Sequence, residues 1–125
     1  MADTKRVLVI DDDPDITDSI TAVLKGNGFE AQAAKSGEEG LAAIESFRPH
    51  LVLCDMMMER IDAGSRVAAE IRKRDSALPL YLLSSIGNAT AQNVDPGSLG
   101  FSGVFQKPVS PDQLIRTIKK ALGME

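Results

Sequence analysis

The chain has 125 residues, 43% of them hydrophobic and 26% charged, with a formal net charge of −4. That length supports one domain with a real core and is too short for two, and the acidic balance argues against a nucleic-acid surface, which needs a basic stripe. One cysteine excludes an internal disulfide and fits a reducing compartment, one histidine excludes a multi-histidine metal site, and the apolar runs are of strand length with no signal core at the N-terminus.

Strand signals alternate with helix signals throughout, the pattern of a parallel α/β sheet. Residues 6–10 predict the first strand. A helix follows, with Asp13 as N-cap, Pro14 in the first helical position, and Ile16, Ile20, Val23 and Leu24 on one face. Gly26-Asn27-Gly28 ends it. A short strand over residues 29–34 leads to Ser36-Gly37-Glu38-Glu39, a capping box that opens a second helix with Leu41, Ile44 and Phe47 as its apolar stripe. Pro49 stops that helix.

The third strand covers residues 51–54 and runs into Asp55. Asp62 is the predicted cap of a third helix that reaches Arg74, with Val67 and Ile71 inward and Arg66, Arg72, Lys73 and Arg74 as a solvated face. Residues 80–83 form strand four, followed by Ser84-Ser85, and residues 103–105 form strand five, followed by Lys107-Pro108. Ser110-Pro111-Asp112-Gln113 caps a last helix whose Leu114, Ile115, Ile118, Ala121 and Leu122 give a broad apolar face; Gly123 ends it. Between strands four and five, residues 86–99 hold Gly87, Asn88, Thr90, Asn93, Pro96 and Gly97, all poor in helices. The crossover helix expected there is short, frayed or partly missing.

Chemistry gathers at the strand ends. Val7-Leu8-Val9-Ile10 and Leu51-Val52-Leu53-Cys54 are continuous apolar runs, as buried parallel strands are, and each is followed by aspartate. Open parallel sheets bind ligands beyond the carboxyl ends of their strands. If these two strands are neighbours, Asp11, Asp12 and Asp55 converge there, and mutually repelling carboxylates call for a divalent, oxygen-seeking cation.

Asp11-Asp12, Asp55, Ser84-Ser85 and Lys107-Pro108, each closing a successive predicted strand except the second, resemble the receiver domain of two-component response regulators, the CheY-like superfamily. The likeness covers essentially the whole chain as a single domain, residues 1–125. It implies a flavodoxin-like three-layer (βα)5 sandwich with a five-stranded parallel sheet of order 2-1-3-4-5. It implies that Asp55 accepts a phosphoryl group from a histidine kinase or histidine phosphotransfer protein. Asp11, Asp12, Asp55 and the main-chain carbonyl of Met57 would hold Mg²⁺, Ser84 would bond the new phosphoryl oxygen, and Lys107 would pair with the phosphate. It further implies a cytoplasmic signalling switch rather than an enzyme with an external substrate, acting on a downstream protein and not on nucleic acid or membrane. Since the chain closes on the last helix, the expectation is a standalone regulator or a piece of a larger protein.

Some positions depart from the pattern. Glu59 stands where proline is common, Ala63 where glycine is common, and Val104 where a tyrosine or phenylalanine usually swings inward; strand alternation puts Phe105 on the opposite face. Two other functions compete. A pseudo-receiver would bind a partner without being phosphorylated. Asp13-Pro14-Asp15-Ile16-Thr17 matches the Asp-x-Asp-x-Thr pattern of haloacid-dehalogenase-like phosphatases, although there the motif begins directly at a strand end. Plainer readings suit the remaining residues: Asp15 and Asp18 favour a helix N-terminus, Cys54 is a small buried hydrophobe, and His50 is structural or exposed. In receivers the positions two residues beyond the acceptor and the strand-four hydroxyl flank the phosphoryl group and influence attacking water. By this resemblance they are Met57 and Ile86, both apolar and unable to orient a water, so the acyl phosphate should be long-lived. Replacing Met57 with Asn should shorten its lifetime, measured as the decay of phosphorylated protein; an unchanged decay would refute this reading.

Overall fold

A computed structural model of the protein describes residues 4–55, 63–75, 77–85, 101–107 and 109–124, with the backbone alone for 63–67 and 85. Five strands, β1 (Arg6–Ile10), β2 (Glu30–Ala34), β3 (Leu51–Asp55), β4 (Leu80–Ser85) and β5 (Gly103–Lys107), form one parallel sheet of order β2-β1-β3-β4-β5. Four helices are described: α1 (Pro14–Gly26), α2 (Gly37–Phe47), α3 (Ala63–Arg74) and α4 (Pro111–Ala121). The helix expected within residues 86–99 lies outside the described residues, as do Asp62, Met57, Glu59 and Ile86 and the side chains of Ala63, Arg66 and Val67.

The period of two along each strand divides the core into two layers. Val7, Val9, Leu51, Leu53, Leu83 and Phe105 face α1 and α4, where they meet Ile20, Leu24, Leu114 and Ile118. Leu8, Ile10, Val52, Cys54, Leu80 and Leu82 face the other way, toward Ala43 of α2 and Ala68 and Ile71 of α3. The three central strands are apolar on both faces because both faces are covered.

The expected caps form. Asp13 Oδ1 accepts from the Asp15 amide at 2.9 Å. Ser36 Oγ accepts from Glu39 N at 3.1 Å, and Glu39 Oε1 reaches back to Lys35 N at 3.1 Å. Ser110 caps α4, with Gln113 N at 3.5 Å from its hydroxyl. Arg48 closes α2 in the left-handed region at φ 53°, one residue before the proline that stops the helix.

Two details differ from the sequence expectation, and a third decides between two that were open. On α2 the residues seated deepest are Gly40 and Ala43, while Leu41, Ile44 and Phe47 pack half-buried around them, because the helix lies too close to the sheet for large side chains beneath it. The basic end of α3 is not simply solvated. Arg72 Nη1 donates to Leu78 O at 2.6 Å, and Arg74 Nη1 bonds Glu45 at 2.9 Å, tying α3 to the β4 approach and to α2. His50 is structural: its Nδ1 accepts from Arg6 N at 3.0 Å while its own amide donates to Arg6 O.

Leu53, central in the sheet and fully buried, should cost about 2–5 kcal/mol when cut to alanine. Ser36→Ala should cost only about 1 kcal/mol, the typical loss of one N-cap. Urea denaturation midpoints of the two variants check the ranking.

Candidate functional site

Register brings the acidic residues together. Ile10 of β1 pairs with Cys54 of β3, so Asp11 and Asp55 stand side by side where the two strands end. Asp11 continues the parity of Val7 and Val9, Asp55 that of Leu51 and Leu53, and Lys107 that of Phe105. All three point toward the α1 and α4 side. Ser84, at the end of β4, has the opposite parity, shared with Leu82.

Asp11 is wholly buried, Asp55 is 6% exposed and Ser84 6% exposed, while Asp12 is open to solvent. The Asp11 amide donates to Ala34 O at 3.0 Å, extending the β1–β2 pairing by one residue, and Asp11 Oδ1 accepts from Asp13 N at 3.0 Å. One carboxylate oxygen from each of Asp11, Asp12 and Asp55 lies within 4.8 Å of the others. Lys107 Nζ reaches into this group, 2.7 Å from Asp11 Oδ2 and 3.3 Å from Asp55 Oδ2. The closer contact has ion-pair distance but poor hydrogen-bond direction, leaving the buried Asp11 Oδ2 without a well-aligned donor among the described residues.

Burial alone would lower the pKa of Lys107. The close contact with Asp11 and the charges of Asp55 and Asp11 outweigh it, and the net effect holds the ammonium above its ordinary value of 10.5. Cys54 shows the same field from the other side: burial first, then the charges of Asp55 and Asp11, push its thiol well above the usual range. It is a buried packing group, with Sγ 3.6 Å from Asp55 O.

Three formal negative charges against one positive leave an excess of two, and the donors are all carboxylate oxygens clustered at one sheet edge. That set suits a hard divalent cation such as Mg²⁺, which takes oxygen ligands and keeps several waters, so few protein ligands suffice. The structure thus brings together Asp11, Asp12, Asp55 and Lys107, with Ser84 at the neighbouring strand end; Met57 lies outside the described residues. The competing phosphatase motif does not form a site. Asp13 is the exposed cap of α1, Asp15 sits in the first helical turn, and the Thr17 hydroxyl donates to Pro14 O at 3.2 Å. Val104 is 41% exposed while Phe105 is buried against Tyr81, ring centroids 5.4 Å apart, as the alternation requires.

A five-stranded parallel sheet of this order, with acids at its carboxyl edge and a lysine reaching across to them, defines the CheY-like architecture. The model of the response regulator receiver domain matches residues 7–119, and the chain belongs to that family. The DNA-binding response regulator MtrA of Mycolicibacterium smegmatis is 32% identical over 118 residues, an alignment that takes in 94% of this chain and 50% of that protein. The chain thus spans about half the length of the curated relatives it matches. Among solved structures, a putative response regulator from Chloroflexus aurantiacus superposes with a TM-score of 0.86 at 28% identity, covering 97% of this chain and 99% of that one. The receiver domain of NtrX from Brucella abortus gives 0.84 at 31% identity, covering 95% and 99%. No helix among the described residues is long and apolar enough to cross a membrane.

A group whose folded pKa is raised contributes stability that is complete below its unfolded pKa and is lost as pH climbs through the folded value. In metal-free protein, the stability advantage of wild type over Lys107→Met should therefore hold near about pH 8 and shrink above about pH 10.5. Urea midpoints of the two proteins across that range check it.

Proposed function

We propose that the chain is the phosphoacceptor switch of a His-to-Asp relay, with residues 1–125 as one receiver domain, Asp55 as acceptor, and Asp11, Asp12, Asp55 and the Met57 carbonyl as ligands of Mg²⁺. The observation that carries this is Lys107 Nζ lying 3.3 Å from Asp55 Oδ2 inside a cluster of three carboxylates. A cationic group able to reach a phosphoryl unit on Asp55 stands next to the residue that would receive it.

An Asp55 carboxylate oxygen attacks phosphorus, the bond from phosphorus to the donor nitrogen breaks, and its electron pair leaves with the imidazole of a histidine kinase or histidine phosphotransfer protein. Carboxylate and phosphoryl group are both anionic, so the approach needs positive charge nearby. When bound, Mg²⁺ supplies that charge and stabilises what spreads over the phosphoryl oxygens in the transition state. Lys107 supplies a second, compact point charge. Once the acyl phosphate stands on Asp55, roughly −1.5 to −2 charges compete with Asp11 for the ammonium. Ser84 offers a rotatable hydroxyl to the new oxygens. These contacts exist in one state only, and a ligand shifts an equilibrium by the difference in its contacts between states. A downstream protein then reads the shifted state. The net charge of −4 argues against a nucleic-acid surface on this domain.

Intact mass after incubation with Mg²⁺ and acetyl phosphate tests the reading. Wild type should gain one phosphoryl group, and Asp55→Ala should gain none. No uptake with Mg²⁺ bound would move the function to a partner-binding module that is not phosphorylated or to a receiver that demands its own kinase, and uptake at another residue would overturn Asp55 as the acceptor.

A further inference from the structure

Gly40 sits inside α2, where glycine costs helix stability relative to alanine, and it is buried against the sheet. A Cβ at this position would lie 2.5 Å from Ile10 Cδ1, 3.0 Å from Ile10 Cγ1 and 3.3 Å from Ile10 Cγ2. Ile10 is fully buried and is the last residue of β1, directly before Asp11. Its partners in the sheet are small, Ala34 on β2 and Cys54 on β3. Ile10 is thus the large side chain between two small strand neighbours, and the helix above has given up its own side chain to admit it.

The crowding has few outlets. Rotation about χ2 moves only Cδ1 and leaves Cγ1 and Cγ2 tighter than ordinary contact. The N-terminus of α2 is tied to the end of β2 through Lys35 N and Glu39 Oε1 at 3.1 Å, and its outer face is held by Arg74 to Glu45 at 2.9 Å. Close-packed interiors pass strain on instead of absorbing it. Strain taken up by Ile10 reaches Asp11 directly, since the two are adjacent in the chain, and the position of Asp11 decides its distances to Asp12, Asp55 and Lys107.

We infer that Gly40 is a positioning residue for the metal site: by leaving room for Ile10 it sets how far β1, and with it Asp11, advances toward Asp55. The inference rests on the proposed Mg²⁺ role of Asp11. It predicts a compensating pair, because Ile10→Val removes the Cδ1 atom that a Cβ at position 40 meets first.

Three variants test it: Gly40→Ala, Ile10→Val and the double variant, each titrated calorimetrically with Mg²⁺ and unfolded separately in urea. Gly40→Ala should weaken Mg²⁺ binding by about fivefold, the scale expected when a ligand is misplaced by a fraction of an ångström. Ile10→Val should bind nearly as wild type despite lower stability, and the double variant should recover wild-type affinity. Wild-type affinity in Gly40→Ala, or a loss the double variant does not recover, overturns the inference while leaving the receiver reading intact. Should Gly40→Ala fail to fold, the double variant decides alone: wild-type affinity upholds the inference, and weak binding or failure to fold overturns it. Wild type that binds no Mg²⁺ would instead sink the metal reading, and this inference with it.

Discussion

Everything at the carboxyl edge of the sheet depends on one repulsion: Asp11 and Asp55, both nearly withdrawn from water, lie on adjacent strands with Asp12 beside them. A buried carboxylate without a compensating charge is costly, and two facing each other are worse. Lys107 answers this from the far side of the sheet. It closes β5, the edge strand, and its side chain passes the end of β4 to touch the acids of β3 and β1. One ammonium thereby couples strands that share no backbone hydrogen bonds. The coupling is incomplete, since one positive charge cannot neutralise three negative ones, and the negative remainder suits the edge to a divalent cation.

The rest of the fold serves to hold those ends in register. Parallel strands buried on both faces cannot slip by one residue without exchanging their two apolar layers, and Val7, Leu8, Val9 and Ile10 show both layers filled. Because β1 and β3 are pinned this way, the residue after each strand is pinned as well. The helices add local clamps: Asp13 begins α1 immediately beyond the acids, and Asp11 Oδ1 bonds the Asp13 amide, so the acidic turn and the helix cap are one hydrogen-bonded unit.

Much of this was legible in the sequence. The apolar runs gave the strands to within a residue or two, with β2 beginning at Glu30 in place of Phe29 and β4 and β5 each reaching two residues further. Asp13, Ser36 and Ser110 announced their helices because a capping hydroxyl or carboxylate acts locally and leaves a local signature. The convergence of Asp11, Asp12 and Asp55 followed from strands ending at one edge, and their similarity to the receiver pattern named the lysine that joins them. What escaped the sequence was contact between distant segments. Gly40 and Ala43 are small, and a reading that seeks apolar bulk passes over residues whose contribution is the space they leave. The Arg72 bond to Leu78 O and the Arg6 amide on His50 involve backbone groups, which any residue type can present. A spacing rule gives the face a side chain lies on, but not which carbonyl lies opposite it.

Cys54 has a consequence for how the protein can be watched. It is the only cysteine in the chain, wholly enclosed between Leu53 and Asp55, and its thiol is held protonated by burial and by the negative charge beside it. Since the thiolate is the reactive form, this sulfur should ignore maleimides and mild oxidants while the fold is intact. The native protein is therefore chemically blank to thiol labels. A cysteine introduced on an exposed surface would carry a fluorophore or spin label alone, so the carboxylate edge could be followed by spectroscopy without first removing a residue from the layer that supports it.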